Sequence, residues 1–207
     1  QRTMFAFDGD ENLRNTVFLR FRIINKGTNT LDSMYTALWS DPDVGGFTDD
    51  FVGCDTTRSL GFAYNARDVD FVYGDRPPAV GYVLLRGPVD RVTGDSLALT
   101  SFDQYIGGTD PGSSAETYRH MKGLRPDGSA IIDPTTGQAT RFFHPGDPVR
   151  GTGWLDANPA DRRMLVSSGP FRMAPGDTQE VLAAIVVGSG PEHLSSVGVV
   201  RCLTDRA

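Results

Sequence analysis

Apolar and polar residues alternate most regularly between Thr16 and Ile24. Val17, Leu19, Phe21 and Ile23 point one way and Arg20 and Arg22 the other, a period of two that predicts a half-buried β-strand. Met4–Phe7 predicts a hairpin partner across the turn Asp8-Gly-Asp-Glu-Asn12. A third strand over Leu31–Trp39 follows the turn Asn25-Lys-Gly-Thr-Asn29, so the chain is expected to open as a three-stranded antiparallel meander. In the last third, Arg163–Ser167, Phe171–Met173 and Gln179–Val187 predict strands, with Ala174-Pro-Gly-Asp177 as a turn. The stretch Val181–Val187 is apolar on both faces, as a central strand requires. The predicted core is Val17, Leu19, Phe21, Ile23, Leu38, Val181, Ala183, Ile185 and Val187.

Between these thirds the pattern weakens. Short strands are expected at Ser59–Tyr64, Val80–Leu85 and Leu97–Phe102, among stretches dense in Gly, Pro and Asp. Ser113-Ser-Ala-Glu116 matches a capping box and predicts a short helix to about Lys122, stopped by Gly123. Arg125-Pro-Asp-Gly128 and Asp133-Pro-Thr-Thr-Gly137 read as turns around a small hairpin, and Pro191 can open a last helix towards Cys202. The expected fold is mainly β: one antiparallel β-sandwich over 1–207, immunoglobulin- or jelly-roll-like, with one or two short helices. Its first and last thirds supply the sheets, and a loop-rich insertion at about 41–160 stands on one end.

Composition supports loops and strands over long helices. There are 22 Asp against 4 Glu and 18 Arg against 2 Lys, with 24 Gly and 13 Pro. A net charge of −6 disfavours a nucleic-acid partner. The longest apolar run, Val181–Val187, falls far short of the ~20 residues a bilayer-spanning helix needs. Cys54 and Cys202 allow at most one disulfide. The opening Gln-Arg-Thr-Met carries no targeting signal and reads as the start of an excerpt from a longer chain.

The most informative chemistry is in Asp41–Asp55, which holds five of the 22 aspartates: Asp41, Asp43, Asp49, Asp50 and Asp55. Clustered carboxylates repel unless a cation offsets them. Asp-x-Asp-x-Gly supplies two carboxylates and a flexible bend to an ion that wants six to eight oxygens, so Ca²⁺ is expected, with Asp41 and Asp43 as first ligands. The segment is not an EF-hand loop, and it offers Zn²⁺ no histidine and a single cysteine. The plain alternative is a solvated acidic loop. Asp68 and Asp70 form a second patch, to be read as further metal ligands or as a surface loop paired with Arg67. Asp8-Gly-Asp10 is explained by its turn.

Enzyme signatures are absent: no nucleophile elbow, Walker loop, dinucleotide fingerprint or zincin motif. His120, His144 and His193 are scattered singly. Acidic neighbours should raise the Cys54 pKa and blunt the thiol. An Asp pair for glycoside hydrolysis is open in any Asp-rich domain. Phe47, Tyr64, Tyr73 and Trp154 fall in the loops, where they can pack or stack on sugar.

Several segments carry a family resemblance: Ile24-Asn-Lys-Gly, Leu31-Asp-Ser-Met-Tyr, Leu38-Trp-Ser-Asp-Pro-Asp, Asp49-Asp-Phe-Val-Gly-Cys-Asp55, Pro77-Pro-Ala-Val-Gly-Tyr82 and Ser168-Gly-Pro-Phe-Arg-Met-Ala-Pro-Gly-Asp177. Together they resemble the central region of large secreted proteins of the Bacteroidota and related phyla, which carry a signal peptide and a type IX secretion sorting domain. The resemblance spans nearly the whole chain and implies an extracellular or cell-surface setting, but it supplies no catalytic residues. The leading expectation is a non-catalytic, calcium-stabilised module of a surface, adhesive or filament-forming protein, whose partners are other modules or copies of itself. A calcium-dependent carbohydrate-binding module and a secreted hydrolase are the alternatives.

Overall fold

The alternating stretch Thr16–Ile24 is a strand over the predicted residues in the computed structural model, which describes residues 1–11 and 13–207. In chain order the elements are β1 (Arg2–Ala6), β2 (Thr16–Ile24), β3 (Leu31–Ser40), β4 (Asp50–Asp55), a 3-10 turn (Thr56–Arg58), β5 (Leu60–Asn65), β6 (Val69–Asp70) and β7 (Gly74–Asp75). There follow β8 (Ala79–Arg86), β9 (Ser101–Ile106), α1 (Ser114–Met121), β10 (Ile131–Ile132), β11 (Ala139–Thr140), β12 (Arg162–Met173), β13 (Thr178–Gly188) and α2 (His193–Thr204). The fold is mainly β, with antiparallel sheets and two helices, and is consistent with a β-sandwich.

A six-stranded sheet runs β1-β2-β13-β8-β5-β4 and a three-stranded sheet runs β3-β12-β9. The expected meander does not form. β1 pairs with β2 as expected, but β3 leaves them and pairs with β12, while β13 takes the place beside β2. The last residue of the turn between β1 and β2, Asn12, lies outside the described residues. The middle of the chain is not only loop, because β4, β5, β8 and β9 all come from it. Of the strands expected there, the third begins at Ser101, not Leu97. Arg163–Ser167 and Phe171–Met173 belong to one long strand, β12, irregular where its pairing with β3 shifts register.

The larger sheet is apolar on both faces. Val52, Cys54, Ala63, Leu84 and Val181 share one cluster with Phe102, Met164 and Val166 of the smaller sheet. On the opposite face Phe18, Leu60, Phe62, Ala184 and Val186 pack against Val197, Val200 and Leu203 of α2. That helix explains why part of the predicted core is displaced. Val181 and Ala183 are buried, but Val17, Leu19, Phe21, Ile23, Leu38 and Ile185 are only half-buried and Val187 is exposed. α2 covers the face that holds Phe18, Ala184 and Val186, whereas three strands cannot fully cover the inner face of six.

Both helices start with side-chain caps. Ser113 Oγ accepts from Glu116 N–H and Glu116 reaches back to Gly112 N–H, at 3.2 and 2.8 Å. The helix α2 has Glu192 at its N-cap, where the Glu192 N–H donates to Ser195 Oγ at 2.8 Å, so Pro191 lies just outside it. Cys54 and Cys202 are both free, the first buried and the second exposed. The Cys54 thiol is pushed far up, first by burial and then by Asp55, so burial dominates over the acidic neighbours.

Candidate functional site: an acidic end of the sandwich

Segment 41–55 is not one loop. Its last six residues, Asp-Phe-Val-Gly-Cys-Asp, alternate in facing and form β4, so that Val52 and Cys54 point into the core between the sheets. The outer edge of β4 is covered: Ala160 N–H donates to Asp50 O, Cys54 N–H to His144 O and Val52 N–H to Asp156 Oδ2. At ~3.3 Å per residue, five steps of strand hold Asp50 and Asp55 about 17 Å apart. One ion cannot take both.

Asp41 and Asp43 follow the end of β3. Because β3 and β12 run antiparallel, with Ser40 opposite Met164, the entry to β12 arrives alongside. One oxygen each of Asp41, Asp43 and Asp161 then lie within 4.8 Å of one another, the one such acidic group among the described residues. Asp161 has no motif around it in the sequence, and only long-range strand pairing reveals it. The group also contains a cation. Arg163 lies 3.0 Å from Asp41, 3.1 Å from Asp161 and 3.8 Å from Asp110. Burial raises the Asp41 carboxyl, Arg163 pulls it back, and Asp161, Asp43 and Asp110 add to the rise. Three to four carboxylates against one guanidinium leave the group negative.

Asp49 and Asp50 stand outside this group. Asp50 is fully buried; its Oδ2 accepts from Val44 N–H at 3.0 Å, and Oδ1 has no hydrogen-bond partner among the described residues. Burial pushes its carboxyl up to about 7, with Asp49, Asp43 and Asp70 adding to the rise and the Val44 amide opposing it. Asp70 behaves oppositely. Burial would raise it, but its oxygens accept from the backbone amides of Tyr73, Gly46 and Val72, which hold it below the usual carboxylate range. Asp68 is occupied elsewhere, accepting from His193 N–H at the start of α2.

Asp55 is the member that the structure sends away. It caps the 3-10 turn through Thr57 and lies 2.9 Å from Arg58 and 3.2 Å from Arg201. Burial works to raise its carboxyl, but Thr57, Arg58 and Arg201 outweigh burial and hold it low. Arg201 also holds Asp147 at 2.7 Å, and Arg58 holds Asp205 at 2.8 Å. With two arginines already on it, Asp55 has no unmet demand for an ion.

The remaining candidates are also placed. His120 is buried 3.1 Å from Asp103, and His144 is buried 3.9 Å from Asp156, which pairs with Arg162 at 2.7 Å. Tyr64 is buried in the core and Trp154 is half-buried against His144 and Phe143. Phe47 and Tyr73 are exposed, joined by Val69, Val72 and an 85% exposed Phe71. A Cβ on Gly46 would come 3.1 Å from the Phe71 ring, so that ring lies against the acidic loop. Sequence spacing does not single out Phe71. No helix among the described residues is long and apolar enough to cross a membrane. Compared with models of protein families and with curated proteins, the chain matches none.

Proposed function

We propose that this chain is a non-catalytic, calcium-stabilised β-sandwich module of an extracellular or cell-surface structural protein, engaging other modules or copies of itself. The observation that carries the reading is the convergence of Asp41, Asp43 and Asp161 from two distant segments to within 4.8 Å. Hard oxygen ligands at the ends of adjacent strands suit Ca²⁺, which tolerates irregular geometry, better than Mg²⁺, which demands a near-ideal octahedron. An ion there ties loop 41–49 to the start of β12. The extracellular setting comes from the family resemblance in the sequence.

A second reading has its own support. Phe47, Phe71 and Tyr73 are exposed on or near the acidic loop, and exposed aromatics are what a calcium-dependent carbohydrate-binding module stacks on sugar rings. Thermal melts in Ca²⁺ and in chelator test the principal reading. Binding to the native state alone adds about 2.7 kcal/mol at a hundredfold excess over Kd. For a chain of this length that is a rise of roughly 5–10 °C. Coincident melts from a metal-free sample would remove the calcium reading, and a glycan array decides the second.

A further inference from the structure

The six-stranded sheet ends in β1 on one side and β4 on the other, and only one of these edges is covered. Ala160, His144 and Asp156 take up the backbone of β4, whereas β1 pairs with β2 alone. Arg22 N–H donates to Gln1 O at 2.8 Å, which makes Gln1 and Arg22 a hydrogen-bonded pair of the ladder. Such pairs alternate along antiparallel strands with pairs that exchange no bonds. Because Arg2 stands opposite Phe21 and Met4 opposite Leu19, the N–H and C=O groups of Arg2, Met4 and Ala6 point away from β2, to the open edge. The strand β1 has no proline or bulge to blunt that edge, and its one charged residue, Arg2, stands at its start. Its other side chains are largely apolar. Met4 is 69% exposed, and Phe5 and Phe7, at 38% and 47%, are in ring contact with each other and with buried Phe18.

Charge selects the occupant of this edge. Arg2 and Asp8 lie three residues to either side of Phe5, and neither has an ion-pair partner among the described residues. We infer that β1 pairs with β1 of a second copy of this chain, antiparallel about a twofold axis through Phe5. That register sets Arg2 of each copy opposite Asp8 of the other, Met4 opposite Ala6, and Phe5 opposite Phe5. Met4 and Ala6 exchange the hydrogen bonds that their outward groups lack, and Phe5 falls at a non-hydrogen-bonded position, where side chains come closest. A parallel pairing would set Arg2 on Arg2 and Asp8 on Asp8, and an antiparallel one centred on Met4 would leave Arg2 opposite Ala6. A twofold axis perpendicular to the sheet keeps Phe5 and Phe7 of both copies on one face, and it closes the contact as a dimer. The inference rests on the proposed engagement of copies of the same chain, to which it gives a surface, and does not involve the calcium site.

Sedimentation equilibrium of the full chain in chelator, at micromolar to millimolar concentrations, tests the edge. The wild type is expected to be a reversible dimer. Met4→Pro removes an outward-facing N–H and leaves the ladder to β2 its bonds, so it should weaken the dimer on the order of tenfold or more. Arg2→Asp sets like charges opposite each other at two places and should weaken it on the order of tenfold. Adding Asp8→Arg to Arg2→Asp restores both opposite-charge pairs and should bring the dimer back to within about threefold of wild type. A wild type that stays monomeric throughout overturns the inference and the engagement of copies with it, while the melts in Ca²⁺ still decide the calcium reading. A dimer that Met4→Pro leaves as strong as the wild type overturns the edge and keeps self-association. If the double exchange does not recover what Arg2→Asp loses, the antiparallel register falls. Should Met4→Pro not fold, the charge variants, both at exposed positions, carry the test: Arg2→Asp dimerising as tightly as the wild type overturns the pairing.

Discussion

The two ends of β4 carry the same residue and meet opposite fates. At one end Asp50 is buried, the Asp49, Asp43 and Asp70 charges add to the effect of burial, and its carboxyl is driven up to about 7. At the other end Asp55 is gripped by Arg58 and Arg201 and held low despite its burial. Both belong to one acidic run in the sequence. What separates them is a strand that delivers one to arginines from the 3-10 turn and α2, and the other to a loop with no basic side chain. A run of carboxylates is therefore not one site. Its members are sorted by the structure into those already neutralised and those still in need of a counter-charge.

The contrast can be broken first at its basic end. Arg201 reaches Asp55 and Asp147 and lies over the Phe62 ring at 5.6 Å, with most of its side chain buried. Arg201→Met takes the more buried arginine away from two partly buried carboxylates and should cost about 2–4 kcal/mol in urea unfolding. A loss under 1 kcal/mol would mean that Arg58 alone suffices. At the acidic end the sign reverses. Asp50→Asn removes an unpaired buried charge, so in chelator at pH 7.5 it should raise stability by about 1–2 kcal/mol.

Acid sharpens the same comparison. Burial tends to raise Asp147, as it does Asp55, but Arg201 and nearby amides outweigh it, so both carboxyls are held low in the folded state. Their contribution is complete above the unfolded value near 3.9 and is lost as pH falls through the folded values. The urea midpoint should therefore drop below about pH 4, less steeply in Arg201→Met. Asp43→Ala should shrink the calcium-dependent rise in melting temperature while leaving the chelator melt within about 0.5 kcal/mol of wild type, since Asp43 is exposed. The smallest effect is expected at Arg20–Glu180, a surface pair at 2.5 Å, where Glu180→Gln should change stability by under about 1 kcal/mol.

Much of this was legible from the sequence where the controlling forces are local. Alternation alone specifies β2, and the Ser113–Glu116 box specifies the start of α1. Asp41 and Asp43 are brought together as the Asp-x-Asp spacing implies. The strand β4 escapes a local reading because Gly53 and flanking aspartates look like turn chemistry, while Val52 and Cys54 are its only inward apolar residues. Which sheet receives β3 depends on β12, more than a hundred residues later, and Asp161 enters the site only through that pairing. Arg163 and Arg201 are unremarked among eighteen arginines until the fold aims them.

The position of β13 between β2 and β8 also sets an order of events. It is the last strand in the chain, yet it joins the β1–β2 hairpin to the rest of the larger sheet, with Val181 opposite Phe21 and Ile185 opposite Tyr82. During synthesis the hairpin must therefore wait, its apolar faces unmatched, until residues near 188 have left the ribosome. Contacts this distant along the chain make for slow folding and long exposure of strand edges.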